Sequence, residues 1–233
     1  MELTFASYNI HKAVGTDRRR DPERILRVIH EIDADIVALQ EVDRRIGDRA
    51  TVIPRAAIDD THWRVVEVAR RPRSIGWHGN ALLVRREFEI VHGEALDLPT
   101  LEPRGAACGE IRVDGHVLRI IGTHLDLSGL RRRDQIRSLL DHVGACRRNL
   151  PTVILGDFNQ WGRQTGAMRE FSDGWQLVTP GRSYPSTQPL AMLDRIVASH
   201  QWQCIAAEVH HTPLAAVASD HLPVVARLHL HEK

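Results

Sequence analysis

Four stretches of this 233-residue chain share one layout, an apolar run that stops abruptly at a cluster of polar side chains. They are Leu3–His11, Ala34–Glu41, Val117–Asp126 and Thr152–Asn159. Short apolar runs without a helical period read as strands buried on both faces. Layered α/β folds put their chemistry just past such strand ends, where a rigid platform holds it. Asn9, His11, Glu41, His124, Asp157 and Asn159 all stand at these ends, and a fifth cluster, Ser219-Asp220-His221, precedes the apolar run Leu222–Leu228. Carboxylates, imidazoles and amides together are the groups needed to handle a phosphate and a hard metal ion.

Composition narrows the partners. Lys and Arg number 31 against 30 Asp and Glu, a formal net charge of +1. A protein that coats DNA is normally more basic, so nucleic-acid contact here would come from local patches. The three cysteines, Cys108, Cys146 and Cys204, are odd in number and form no CxxC. That pattern fits a reducing, cytoplasmic setting better than a disulfide framework. The N-terminus goes straight into a strand-like run and does not read as a signal peptide, and no stretch is apolar enough for a membrane span. Repeats, low-complexity tracts and Gly/Ser linkers are absent, so residues 1–233 read as a single domain with no obligate protein partner.

Two amphipathic helices separate the runs. Asp21 is placed to cap the first, with Pro22 at its first position and Ile25, Val28, Ile29 and Ile32 along one stripe. The second starts near Ser128, carries Ile136, Leu139, Leu140 and Val143 on one face, and ends at Arg147-Arg148. Trp63–Val68, Ala81–Val84, Gly109–Val113, Ala191–Ala198 and Val224–Leu230 read as further strands. Many strands with few interleaved helices suggest layered sheets with helices outside.

Each polar cluster has a chemical reading beside a bland one. Mg2+ takes oxygen ligands, usually one or two carboxylates besides water and substrate phosphate. Glu41 and Asp220 are the best such ligands, with the Asn9 amide oxygen beside them. In Gly156-Asp157-Phe158-Asn159, Gly156 is expected to let the backbone turn sharply, and Asp157 and Asn159 to share a face of an extended segment. A carboxylate there can take a proton from water, and an amide can bond a phosphoryl oxygen. The competing reading is an Asx turn, which these residue types favour. Asp194, inside an apolar strand, needs a partner, and His221 is the natural one. His124 is a second imidazole of the same kind. Of the arginine clusters 18–20, 70–73 and 131–133, Arg18 has the best case for touching substrate because its loop follows the Asn9/His11 strand end. Runs of charge are otherwise solvated faces.

Taken in order, Tyr8-Asn9-Ile10, Leu39-Gln40-Glu41-Val42, Gly79-Asn80-Ala81-Leu82, Thr123-His124-Leu125, Gly156-Asp157-Phe158-Asn159, Leu193-Asp194-Arg195-Ile196 and Ser219-Asp220-His221 resemble the endonuclease/exonuclease/phosphatase superfamily. Each string alone is weak, but the seven in order are specific. The resemblance implies an α/β (α+β) four-layer sandwich of DNase I-like fold, two mostly antiparallel β-sheets packed face to face with helices on the outside. It also implies Mg2+-dependent phosphohydrolase activity, with Mn2+ able to substitute, on phosphodiester bonds of a nucleic acid, phospholipid or small molecule. By the same resemblance Glu41 is the principal metal ligand, with Asn9 and Asp220 at the metal site. Asp157 activates water, Asn159 assists at the phosphate, Asp194 pairs with His221, and His124 is a second phosphate-facing imidazole. Asn80 and His11 are possible substrate contacts, and His11 stands where many nuclease members carry an acid.

The segment Ser183–Leu193 offers proline where abasic-site nucleases carry stacking rings, and nothing suggests the hydrophobic hairpin of sphingomyelinase-like members. The competing class is a catalytically silent binding module on the same scaffold. The D-x-H/GNH and H-x-H-x-D-H strings of dinuclear hydrolases do not occur.

Overall fold

A computed structural model of the chain describes residues 1–44, 47–99, 104–146, 148–162, 165–172 and 174–231. Arg147, expected at the end of the second helix, lies outside them. The elements run β1 (Glu2–Asn9), α1 (Pro22–Ile32), β2 (Ile36–Gln40), α2 (Arg55–Asp59), β3 (Trp63–Val65), β4 (Ala81–Arg85), β5 (Glu89–Asp97), β6 (Gly105–Val113), β7 (His116–His124), α3 (Gly129–Ala145), β8 (Thr152–Asp157), β9 (Trp175–Val178), β10 (Asp194–Ser199), β11 (Trp202–Val209), α4 (Pro213–Ala218) and β12 (Val224–Leu230).

The strands form two six-stranded sheets, ordered β11-β12-β1-β2-β4-β3 and β5-β6-β7-β8-β10-β9. Every neighbouring pair is antiparallel except the central ones, β1/β2 and β7/β8, which are parallel. A parallel pair needs a long crossover, and α1 and α3 supply the two. In α1, Asp21 accepts a hydrogen bond from the Arg24 N–H at 2.9 Å, the expected cap. Ile25, Val28 and Ile29 are fully buried on its inner face, each burial contributing roughly 1.5–3 kcal/mol. In α3, Ile136 and Leu139 are fully buried and Leu140 and Val143 half-covered, the stripe expected.

Three apolar layers hold the sandwich. Leu3, Phe5, Ile36, Ala38, Ile120, Val153, Leu155 and Ile196 fill the space between the sheets. Ala6, Tyr8, Val37 and Leu39 turn outward onto α1, α2 and α4, and Ile121, Ile154 and Val197 turn outward onto α3. The four-layer expectation is met.

The inner faces position the site. Side chains two apart along a strand share a face, so the inter-sheet rows continue as Leu3, Phe5, Ser7, Asn9; Leu118, Ile120, Gly122, His124; and Val153, Leu155, Asp157. Each inner row is apolar for most of its length and polar at the C-terminal end of a parallel strand. Antiparallel β10 enters the same level from the other direction, with Asp194 ahead of Ile196 and Ala198.

Candidate functional site

Register places three chemical groups in one row. His124 lies opposite Asp157 in the β7/β8 pair, and Asp194 lies opposite Asp157 in the β8/β10 pair. Adjacent strands are about 4.8 Å apart, so the three side chains emerge side by side at the mouth of the sandwich. The first sheet reaches across to meet them. The Asn9 amide donates to Asp157 Oδ2 at 3.1 Å, and His221 Nδ1 lies 2.8 Å from Asp194 Oδ2. His124 Nε2 and His221 Nε2 stand 3.4 and 3.7 Å from Asp157 Oδ2.

Two expectations about the Asp157 segment need correction. Gly156 does not make the turn, because β8 runs through it in register with Thr123. A Cβ at Gly156 would sit 1.8 Å from the Thr123 carbonyl oxygen, so glycine is needed for the close approach of two parallel strands. Nor is Asp157–Asn159 extended. Asn159 adopts left-handed backbone (φ 51°) and its N–H donates to Asp157 Oδ1 at 2.9 Å, which is the Asx turn. Its side-chain amide donates to the Leu125 carbonyl at 2.8 Å.

Glu41 follows the buried Gln40, and simple alternation would send it to the outer face. Its φ of 58° breaks the alternation and turns it into the cleft. There it accepts a hydrogen bond from Lys12, itself one of three successive left-handed residues, His11, Lys12 and Ala13. Burial would raise the Glu41 carboxyl, but the His124 imidazole and the Lys12 ammonium outweigh it, and the group lies below its ordinary range.

The two imidazoles are driven apart. Burial alone would lower His221, but Asp194 and Asp157 pull the other way and push it up to about 10. The Ser183 hydroxyl, 2.5 Å from Asp194 Oδ2, completes this buried pair. Burial dominates at His124 and pushes it down to about 4 despite Asp157. Burial would also raise Asp157, yet the facing imidazoles, the Asn159 N–H and the Asn9 amide hold it below the usual carboxylate range. At neutral pH one imidazole is therefore charged and the other neutral, with an ionised carboxylate between them. Environments that split like groups in this way mark acid and base positions.

An open cleft of about 810 Å³ covers the row. Asn9, Glu41, His124, Asp157, Asn159, Asp220 and His221 line it, and Asp194 stands fully buried behind His221. Glu41 and His221, far apart in sequence, thus share one hollow. Besides Asp194, three expected residues do not line it. His11 backs Asp220 instead, its Nδ1 3.8 Å from Asp220 Oδ1 and 3.1 Å from the Val14 carbonyl. Arg18 is exposed in a tight turn, φ 61°, that closes on Gly15. Asn80 is buried and donates to the Trp77 and Gly105 carbonyls, a structural task. Sequence reasoning passed over Arg104, Arg131, Trp161 and Tyr184, which line the cleft, and Lys12. Arg131 lay in the cluster 131–133, weighed as a phosphate contact against a solvated face, Lys12 directly follows His11, and Trp161 follows Asn159 by two positions. Tyr184, whose ring lies 4.8 Å from His221, had no local signal.

A divalent cation fits the first sheet's side of the cleft. Glu41 and Asp220 offer carboxylate oxygens, and the Asn9 amide oxygen keeps a lone pair besides the one that accepts from the His11 N–H at 3.1 Å. Lys12 shows that this carboxylate already holds positive charge. Ligand-type atoms of Asp157, Asp194 and His221 also lie within 4.8 Å of one another. That group is closed by the hydrogen bond between His221 and the Asp194 carboxylate behind it, so it reads as a proton-holding network.

The model of the Endonuclease/Exonuclease/phosphatase family matches residues 6–221. The chain is 27% identical to the uncharacterized protein YbhP of Escherichia coli K12, over 95% of this chain and 94% of that one. Among solved structures it is similar to an endonuclease/exonuclease/phosphatase from Beutenbergia cavernae, with a TM-score of 0.73, 22% identity, and coverage of 98% of this chain and 72% of that chain. It is also similar to a mannosyl-6-phosphatase from Bacteroides thetaiotaomicron, with a TM-score of 0.75, 19% identity and coverage of 98% and 100%.

Proposed function

The chain belongs to the endonuclease/exonuclease/phosphatase family, and on that premise we propose that it is a Mg2+-dependent phosphohydrolase that cleaves phosphodiester bonds by attack of an activated water. One observation carries the reading: the buried carboxylate of Asp157 stands between two imidazoles, His124 Nε2 at 3.4 Å and His221 Nε2 at 3.7 Å, in the lining of an open cleft that also holds Glu41 and Asp220. The resemblance of the fold to a structure described as a mannosyl-6-phosphatase lends support to phosphoester chemistry.

Bound at Glu41, with Asp220 and the Asn9 amide oxygen as further donors, Mg2+ or Mn2+ would supply positive charge to a phosphoryl oxygen. Asp157 takes a proton from the attacking water, its position fixed by Asn9 and by the Asn159 turn. His221, kept cationic by Asp194, turns its Nε2–H toward the phosphoryl oxygens, where a charge-assisted bond is strongest. His124, its Nε2 3.4 Å from Asp157 Oδ2, flanks the carboxylate on the other side and helps to orient it. The Asn159 amide, which lines the cleft and donates one N–H to the Leu125 carbonyl, has a second N–H to offer a phosphoryl oxygen.

A metal-supplemented panel of plasmid DNA, single strands, RNA, phosphoinositides, phosphatidyl esters and a phosphomonoester tests the reading. Turnover should require Mg2+ or Mn2+ and be lost in Asp157→Ala and Glu41→Ala, with folding checked by circular dichroism. Unchanged rates in both variants would sink the proposal.

A further inference from the structure

The mouth of the cleft carries apolar side chains that the chemistry above does not use. Leu127 (75% exposed) and Trp161 (65%) line it. Leu130 (74%) follows in the first turn of α3, and Leu190 (57%) donates its N–H to the carbonyl of the cleft-lining Tyr184. Two of the six large hydrophobic residues most exposed among the described residues thus line one opening, and two more adjoin it, Leu130 three positions after Leu127 and Leu190 through its backbone bond to Tyr184; the other two, Ile205 and Val217, lie on β11 and α4. Exposed apolar side chains scattered singly need no explanation, but a rim of them around a polar hollow does.

The rim is also built to stay open. Arg195, fully buried, donates to the carbonyls of Gln160 and Gly162 at 2.7 Å each, clamping the backbone on both sides of Trp161. Arg132, also buried, donates to the carbonyls of Asp126 and Leu127 at 3.0 and 2.6 Å and to Gln160 Oε1 at 3.1 and 3.2 Å. Two buried guanidinium groups therefore lock together the two loops that hold Leu127 and Trp161 out in water. Rigid presentation lowers the entropy lost when an exposed anchor is buried by a partner.

We propose that this rim docks the open cleft onto an anionic phospholipid bilayer, with Leu127, Leu130, Trp161 and Leu190 entering the headgroup–acyl boundary and Arg104 and Arg131 facing lipid phosphates. Three of the four anchors are aliphatic, which cannot stack on a nucleobase, and Leu130 lies outside the cleft lining, where a substrate held within the cleft would not reach it. An apolar surface that continues over the lip matches an extended apolar phase, and tryptophan favours the bilayer interface. Arg104 and Arg131 line the cleft together with the acids Glu41, Asp126 and Asp220. Attraction to an anionic surface therefore rests on these two arginines beside the anchors, Arg131 directly after Leu130, and not on a net positive cleft. The inference stands on the rim and not on the hydrolase reading, so docking is measured without turnover.

The test is co-sedimentation of the full chain, in EDTA, with vesicles of phosphatidylcholine alone or mixed with phosphatidylglycerol. The protein should sediment with the mixed vesicles, less so as salt rises. The combined variant Leu127→Ser, Leu130→Ser, Trp161→Ser should bind about tenfold more weakly, while Ile205→Ser binds as wild type. Thermal melts establish that both variants are folded. No binding to anionic vesicles, or equal binding by the rim variant, overturns the proposal. So would retention of a single-stranded oligonucleotide that depends on Trp161 without vesicle binding, which assigns the rim to nucleic acid.

Discussion

The two sheets are built alike and deliver different things. Each has a parallel pair at its centre and a helical crossover on its outer face, and each ends its inner rows in polar groups at the same mouth. Yet the first-sheet side of the mouth presents its carboxylates to solvent, with the side chains of Glu41 and Asp220 24% and 37% exposed. The second sheet keeps its own inside, with Asp157 and Asp194 at 2% and 0%. Exposure decides what a carboxylate can do. An accessible one can shed water for a cation at modest cost, whereas a buried one must be bonded and becomes part of a proton-holding network. Left-handed backbone at Glu41 turns its carboxylate into the open cleft, where Lys12, also left-handed, meets it, while strand register alone aligns the second sheet's row.

The sharpest way to break this division is to strike each side separately. Asp157→Asn should lower the rate at saturating metal by about 10³-fold and leave metal affinity unchanged, since a general base contributes on this scale. Glu41→Gln should instead weaken Mn2+ binding measured by calorimetry. If both variants alter the same parameter, the division fails. Asp194→Asn strips the buried imidazolium of its counter-ion, and chemical denaturation should show a loss of about 3–5 kcal/mol, as for other broken buried pairs. Arg195→Met frees the loop around Trp161 and should cost about 2–3 kcal/mol, two hydrogen bonds from a charged group being lost; an unchanged denaturation midpoint would show that the clamp is dispensable.

The histidines make the comparison pH-dependent. His221 is raised from 6.5 to about 10, so its stabilising contribution is complete below pH 6.5 and fades as pH climbs through 10. His124 is lowered to about 4, so between pH 6.5 and 4 the unfolded chain takes up a proton that the folded one refuses, and stability falls. Melting curves of His124→Gln should therefore lose part of the acid-side decline seen in wild type. Melting curves of His221→Gln should lose part of the alkaline-side decline. The smallest effect belongs to the exposed ion pair of Arg73 and Asp48, 2.7 Å apart. Arg73→Ala should move the melting temperature by no more than about 2 °C.

What the sequence revealed follows the same physics. The central strands were legible because burial on both faces leaves an uninterrupted apolar run, as in Ile36–Gln40 and Thr152–Asp157. Three of the four edge strands, β5, β9 and β11, were not seen, because their solvated faces carry charge, glycine and alanine in no clear alternation. The fourth, β3, was visible through the buried Trp63 and Val65. Among the expected residues, Asn9, Glu41, His124, Asp157 and Asn159 at or just past strand ends line the cleft, whereas His11, Arg18 and Asn80 do not. Arg18 sits next to Glu41's partner loop in sequence, but its turn directs it to solvent. Asn80 follows Gly79 beside Glu41, yet spends its amide on the Trp77 and Gly105 carbonyls. Short-range pattern does not encode such turns, and Lys12 and Tyr184 reach the site only through them.

The most direct test of the account is single-turnover cleavage of bis(p-nitrophenyl) phosphate in ¹⁸O-labelled water with Mg2+, comparing wild type with Asp157→Asn. The account predicts one labelled oxygen in the phosphate product, formed fast by wild type and about 10³-fold more slowly by the variant. Label in the p-nitrophenol, or equal rates for the two proteins, would contradict it.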